Sequence, residues 1–376
     1  MRQMAMFETD ASAFTNNPIP PIASKARTRL EEIINGGRAS AKRVLDHVES
    51  LQPIDKLAKV NKLEFELATN KQGNNVLHML LPDDTVTTLH RNALGQAAER
   101  AKIPMAFAQH LLDKGDWGIE LLASNFNELF GHLEERALIR IVGDDARGFL
   151  SDRYRRLDSR PLVDAFARSC TKVGALPYKG YVTDTKIGLQ AIIPKVYEPI
   201  PDEVMAYGVN FENSDFGNGA LNVSFFLLRL VCLNGMIGET SMRQVHLGKR
   251  LDENIEWSEK TYKLDMQTVV SGMGDMVLGQ LAETRIEEMQ AQVRRAHAAK
   301  LDDNSRRSVL DMLKRFMNKG ELDKTLAKFN EPDVEMLPAG NNLWRMSNAI
   351  SWLAGEEEDE ERKLELQRLA GKVLPS

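Results

Sequence analysis

Met205-Ala206-Tyr207-Gly208-Val209-Asn210-Phe211 and Leu221-Asn222-Val223-Ser224-Phe225-Phe226-Leu227-Leu228-Arg229-Leu230-Val231-Cys232-Leu233-Asn234-Gly235 carry the pattern that decides the fold. In both, apolar side chains recur at every second position, as a strand with one packed face requires. Ile187, Leu189, Ala191 and Ile193 alternate in the same way upstream. Pro and Gly clusters separate the three runs, so the strands connect by short turns into a largely antiparallel central sheet with one packed and one solvated face. Asn234-Gly235 is a tight-turn signal, and Met236-Ile237 opens a further strand toward His246.

Outward from this sheet the period changes. Downstream, Met266, Val269, Val270, Met273, Val277, Leu281, Ile286, Met289 and Val293 keep three-to-four spacing, which predicts one long amphipathic helix over 259–300, interruptible at Gly272 and Gly274. Such a helix packs across the sheet or against a second copy, making a homo-oligomer through 259–300 one expected partner state. Shorter helices are predicted at 305–319, 343–353 and 360–374.

Upstream, Asn16-Asn17-Pro18-Ile19-Pro20-Pro21 cannot continue a helix and closes a flexible arm over 1–24. A helix from Ser24 should stop at Gly36-Gly37, and a second should cover Ser40 to Leu51 before Pro53. Leu63–Leu67 and Val76–Leu80 alternate as paired strands. From Thr88 to Lys114, small-residue helix, Ile103-Pro104 turn and second helix have a helix-turn-helix outline, with Gln109 and His110 as the base-reading candidates and plain helix packing as the alternative. Leu138–Val142 reads as a strand, and a helix begins near Ser159 with Pro161 just inside it. The expected class is α+β, divided into the arm, a mostly helical region 25–130, an α+β core 131–256 and a helical region 257–376.

The chain has 376 residues, 43% of them apolar and 27% charged, with a net charge of −5. That suits a folded cytoplasmic protein with a substantial core, and no window is apolar enough for a membrane span. Cys170 and Cys232 lie far apart in core-like segments and read as reduced, buried thiols. The seven histidines are scattered singly, phosphate-loop, dinucleotide and nucleophile-elbow motifs are missing, and no catalytic residue, metal or cofactor is expected.

Charge is uneven. Arg136 to Lys195 holds twelve Lys/Arg against six Asp/Glu, while Glu356 to Glu361 is an unbroken acidic run. The densest block is Gly148-Phe149-Leu150-Ser151-Asp152-Arg153-Tyr154-Arg155-Arg156-Leu157-Asp158. Arginine planes grip phosphates and stack on bases, and a tyrosine adds a stacking face. Arg153, Tyr154, Arg155, Arg156 and Lys179 are therefore the expected nucleic-acid contacts. The competing reading pairs Arg153 and Arg156 with Asp152 and Asp158 as a structural fastener. A second constellation of Asn213, Asp215, Asn234 and the Asp144-Asp145 pair would suit an enzyme or a protein-binding factor, although these are also ordinary turn residues.

The Ser151–Asp158 block, Asn213-Ser214-Asp215-Phe216-Gly217, and Cys232-Leu233-Asn234-Gly235 resemble a family of phage/plasmid-like proteins that carries a domain of unknown function. The resemblance extends to Ala97–Pro104 and Asn348-Ala349. It implies a mobile-element role in DNA metabolism in a bacterial host, with single-stranded DNA as the expected partner in binding or annealing, and it supplies no active-site residue.

Overall fold

The computed structural model describes residues 21–244, 246, 257–331 and 337–375, and so the expected arm lies almost wholly outside the described residues. In chain order they form α1 (Pro21–Ser50), β1 (Ile54–Lys59), β2 (Glu64–Thr69), β3 (Asn75–Leu80), β4 (Val86–Leu89), α2 (Arg91–Arg100), α3 (Met105–Leu112) and α4 (Asp116–Gly131). There follow β5 (Arg136–Val142), β6 (Asp145–Ser151), α5 (Ser159–Lys172), β7 (Leu176–Val182), β8 (Ile187–Ile192), β9 (Tyr197–Ile200), β10 (Glu203–Asn213), β11 (Leu221–Arg229) and β12 (Asn234–Gln244). Six helices follow among the described residues, α6 (Glu259–Gln280), α7 (Glu283–Ala298), α8 (Asp303–Leu313), α9 (Lys319–Asn330), α10 (Leu343–Glu356) and α11 (Glu360–Lys372). The α+β class holds, with two sheets in place of one.

The alternating runs build the second sheet, ordered β12-β11-β10-β8-β7, with β9 beside β10 and every pair antiparallel. Its expected solvated face is covered. Met205, Tyr207, Val209 and Phe211 of β10 pack beneath α5, α6, α7 and α10. The alternate residues Val204 and Ala206 pack with Leu30 and Ile34 of α1 and Leu364 of α11 on the other side. Between those helices the second face keeps a polar row, in which Gln190 donates to Asn210 and Asn210 to Glu212. Alternation of apolar with small or amide side chains looks like a wet face in sequence, yet here the row is linked by hydrogen bonds, with Arg368 of α11 donating to Glu212.

The Asn234-Gly235 pair is not a turn. Asn234 pairs with Arg229 across β11–β12, and the reversal lies at Leu230–Leu233, with Leu233 in the left-handed region at φ 58°.

The first sheet runs β1-β5-β6-β4-β3-β2, antiparallel except for β4 beside β6. It crosses the expected boundary at residue 130, because β5 pairs with β1 and β6 with β4. Helices α2, α3 and α4 cover one face, and Phe65, Phe126, Phe130 and Phe149 stack at its centre with ring centroids 5.0 to 5.6 Å apart. Each such ring contributes about 1.5–3 kcal/mol by leaving water. The opposite face presents Leu57, Leu138, Arg140 and Leu150 to the second sheet.

Two helix expectations fail for stated reasons. The helix over 259–300 is two helices, broken at Leu281-Ala282 and continuous through Gly272 and Gly274. The break sends the apolar stripe into two different cores: Val269, Met273 and Val277 pack with α5, whereas Ile286, Met289 and Val293 pack with α10. Conversely, Gly36-Gly37 does not stop α1. A Cβ on Gly37 would stand 2.1 Å from the Tyr178 carbonyl oxygen, and Gly180 of β7 donates its N–H to Ser40 Oγ at 2.9 Å. The glycine lets helix and strand touch backbone to backbone, and burial of Leu30, Ile34, Val44 and Val48 outweighs its cost of about 1 kcal/mol in helix propensity.

Neighbouring glycines should therefore respond with opposite sign. Gly37→Ala forces helix and strand apart and should lower stability by about 1–3 kcal/mol. Gly36→Ala, with nothing within 4 Å of the added methyl, should raise it by about 0.5–1 kcal/mol. Urea denaturation of the two variants checks this, and a loss at both positions would refute the contact argument.

Candidate functional site

The segment after β6 lies at the junction of the two sheets, and Arg140 is its centre. Asp55 and Arg140 face each other across the β1–β5 register. The guanidinium is 1% exposed and donates to Asp55 at 2.8 Å, to Asp158 at 2.5 Å and to the Asp215 carbonyl at 2.8 Å. Burial works against the cation, but the Asp158 and Asp55 carboxylates hold its pKa above the usual arginine value. A charge this buried is stable only with such a complete set of acceptors.

Around it, Tyr154 is buried, stacks on His246 with ring centroids 5.0 Å apart and donates its hydroxyl to the Ser214 carbonyl at 3.2 Å. Burial raises the tyrosine pKa beyond its ordinary range. Asp215 accepts from the Ser159 N–H and hydroxyl at 2.8 and 2.7 Å and from Asn213 at 3.2 Å. Burial pushes its carboxyl up to about 6, with Asp158 adding to the shift. His246 lies between two acceptors, the Arg155 carbonyl and Asn213 Oδ1, each at 3.1 Å. Burial pushes its imidazole down to about 4, so near neutrality the ring carries one proton and can donate to only one of the two.

The residues expected to contact nucleic acid are mostly spent in this junction. Tyr154 is no stacking platform, because both faces of its ring are inside the fold. Arg155 makes a bidentate pair with Asp265 of α6 at 2.6 and 2.5 Å. Arg156 reaches Asp55 at 3.0 Å and Glu259 at 3.8 Å and lies over the Tyr262 ring, 4.3 Å from its centroid. Lys179 is held by both oxygens of Glu360, and Lys186 by Glu361, so the acidic run caps part of the basic segment. Arg153 alone is exposed and has no carboxylate partner among the described residues. The expected pairing of Arg153 and Arg156 with Asp152 and Asp158 does not form: Asp152 pairs with Arg136, Asp158 with Arg140 and Arg156 with Asp55.

The second constellation does not assemble. Asn213 and Asp215 come together, but Asn234 pairs with Arg229 at the far end of β11, and Asp144 lies in the β5–β6 turn paired with exposed Lys71. The small cavity beside Asp215, about 280 Å³ and lined also by His47, Ser159 and Lys186, is far smaller than a typical substrate pocket once open solvent is discounted. No cluster of three or more His, Cys, Asp or Glu able to hold a metal occurs among the described residues. Cys170 is buried with its thiol pKa pushed up, whereas Cys232 is only partly buried and accepts from Arg229 at 3.4 Å.

Cations without a partner lie next door. Arg160, Arg168 and Lys172 form an exposed stripe along α5, and Lys260 and Lys263 one along the adjoining α6; none has a carboxylate partner among the described residues. At the start of α6 the half-buried rings of Trp257 and Tyr262 stand 5.7 Å apart. Leu264 and Met276 of the same helix are 54% and 40% exposed. These residues are spread over a hundred positions, so no local charge cluster marks them in the sequence. Helical spacing in 160-168-172 was the available signal.

No family model, no curated protein and no solved structure matches this chain. No described helix is long and apolar enough to cross a membrane.

Arg140→Met leaves Asp55, 14% exposed, with Arg156 as its remaining cation and the half-exposed Asp158 with none, and should cost about 3 kcal/mol, part of which Asp55→Asn restores in the double variant; chemical denaturation of the cycle measures it, and additive losses would count against the shared-cation argument. His246 makes a separate prediction. Its folded pKa lies below the unfolded 6.5, so the unfolded chain takes up a proton first as pH falls. The resulting loss of stability begins near 6.5 and is complete near 4, at most about 3 kcal/mol from 1.36 kcal/mol per unit. His246→Phe keeps the stack and lacks the proton, so the stability gap between wild type and variant should shrink by that amount between pH 7 and pH 4. A gap independent of pH would rule this out.

Proposed function

We propose that this protein binds single-stranded nucleic acid, DNA before RNA, along the outer face of α5 and α6. The contacts are Arg153, Arg160, Arg168, Lys172, Lys260 and Lys263, with Trp257 as the stacking ring. The observation that carries the reading is that these six exposed cations lack carboxylate partners among the described residues, while Arg155, Arg156 and Lys179 are neutralised. Uncompensated charge on one face attracts a polyanion and releases its counterions, and a neighbouring ring stacks on bases whatever their sequence. The resemblance of the Ser151–Asp158 and Cys232–Gly235 blocks to phage/plasmid-like proteins supports a role in recombination or replication of a mobile element in the bacterial cytoplasm. Self-association through α6 belongs to the same proposal, supported by exposed Leu264 and Met276.

Fluorescence anisotropy with an oligo-dT strand across a salt series tests it. Six phosphate contacts give a log–log slope of about −4, and each Lys or Arg changed to Gln should reduce it by about 0.7. Lys260→Gln/Lys263→Gln should weaken binding at unchanged thermal stability. Absence of binding at low salt, or indifference to these substitutions, refutes the proposal. Light scattering on the same samples reads self-association, which a monomer at every concentration would exclude.

A further inference from the structure

We infer that this chain assembles head to tail, with the outer face of α4 on one copy receiving the outer face of α6 on the next. The inference rests on the self-association part of the reading above and names the surface that α6 meets.

Helix α4 divides into two faces. Gly118, Ile119, Leu122, Ala123, Phe126 and Phe130 are buried and hold it on β2 and β3. Trp117 and Leu121, one turn apart, lie on the opposite side of the helix and are 57% and 43% exposed. A tryptophan more than half in water beside an exposed leucine is apolar surface that the fold itself does not use, and such surface rimmed by polar groups marks a contact with another molecule. The rim here is acidic. From Asp113 to Glu128 the chain has four carboxylates and one cation, Lys114. Asp113 and Asp116 accept from the neutral amides of Gln109 and Asn75 at 2.9 and 2.8 Å, and Glu128 has His132 at 3.2 Å. Glu120 is exposed with no cationic partner among the described residues. This face suits a partner that is apolar at its centre and basic around it.

The chain carries such a surface itself. The first turns of α6 expose Lys260, Lys263 and Leu264, the leucine at 54%. Glu259 and Asp265 of the same turns pair with Arg156 and Arg155, at 3.8 and 2.5 Å. The charge that these turns turn outward is therefore that of the two lysines, which have no carboxylate partner among the described residues. Leu264 stands beside them as Leu121 stands beside Glu120 on α4.

Charge also chooses the pairing. Two α4 faces brought together would set Asp116 and Glu120 against their own copies, and two α6 faces would do the same with Lys260 and Lys263. Like charges facing each other suppress a contact, whereas α4 against α6 places Trp117 and Leu121 on Leu264 with carboxylates opposite ammonium groups. Trp117 is the expected anchor, because the energy of an interface concentrates in its desolvated aromatic side chains. Each copy then uses α4 toward one neighbour and α6 toward another. Such a heterologous contact closes into a ring or continues as a filament.

Sedimentation velocity of the full chain over a concentration series, at low and at high salt, tests this. Association should grow with concentration and weaken with salt. Trp117→Ser/Leu121→Ser alters exposed side chains only, and should weaken association about tenfold or more at unchanged thermal stability. Lys260→Glu/Lys263→Glu should do the same. Mixed in equal amounts, the two variants should form a one-to-one dimer and nothing larger, because the first keeps its α6 face and the second its α4 face. Excess oligo-dT should return wild type to monomer, since a strand and a second copy require the same lysines. Full association in Trp117→Ser/Leu121→Ser overturns the inference, and so does a mixture that stays monomeric, a wild type monomeric at every concentration, or bound oligo-dT that leaves the assembly intact. The single-strand reading fails separately: a mixture that dimerises while wild type does not bind oligo-dT refutes that reading and supports this one, whereas normal oligo-dT binding by a monomeric wild type refutes this one alone.

Discussion

Arg140 is the interaction on which the two-sheet arrangement depends. A guanidinium removed from water loses solvation worth several kcal/mol, and only a full set of acceptors restores it. Those acceptors come from Asp55 on β1, Asp158 ahead of α5 and the Asp215 carbonyl after β10. One cation thus requires the first sheet, the linking segment and the second sheet to meet in a single register. Tyr154, Asn213, Ser159 and His246 fill the space around it with hydrogen bonds, so the linking segment cannot shift without leaving buried polar groups unpaired.

That requirement changes the meaning of the arginine-rich block. Local charge suggests a binding surface, but the field outside a protein depends on which charges remain uncompensated. Asp265, Asp55 and the Glu360-Glu361 pair come from three distant parts of the chain and neutralise Arg155, Arg156, Lys179 and Lys186. The acidic run thereby has a structural role at the start of α11, where Glu360 also suits the positive end of the helix dipole. Exposed cations without a carboxylate partner among the described residues remain on the α5–α6 face beside the block.

Elements with long periodic patterns were legible from the sequence: β10, β11, α5, α10, and the α2–α3 pair with its Ile-Pro turn. Short or mixed segments were not. β1, Ile54–Lys59, carries Asp55 and Lys56 among its apolar residues, and its strand character comes from pairing with β5. α4, Asp116–Gly131, and α9, Lys319–Asn330, carry helical spacing without a long apolar stripe, and α9 starts at a capping box of Asn318 and Glu321. The opposite errors at Gly36-Gly37 and at Leu281-Ala282 share one cause. Helix ends follow local propensity only until tertiary packing offers more, and a glycine pressed on β7 or an apolar stripe divided between two cores offers more.

The sequence by itself determined that this is an α+β protein with long antiparallel strands, and it located the region around Ser151–Asp158 as special. Period and turn chemistry are local properties, readable from a few neighbouring residues. Only the tertiary structure decided that there are two sheets, that both faces of the second are covered, and that Tyr154, Arg155 and Arg156 hold the junction while Arg160, Lys260 and Lys263 have no carboxylate partner among the described residues. Which carboxylate meets Arg155, Arg156 or Lys179 is settled by contacts between residues a hundred or more positions apart, and no window of sequence contains that information.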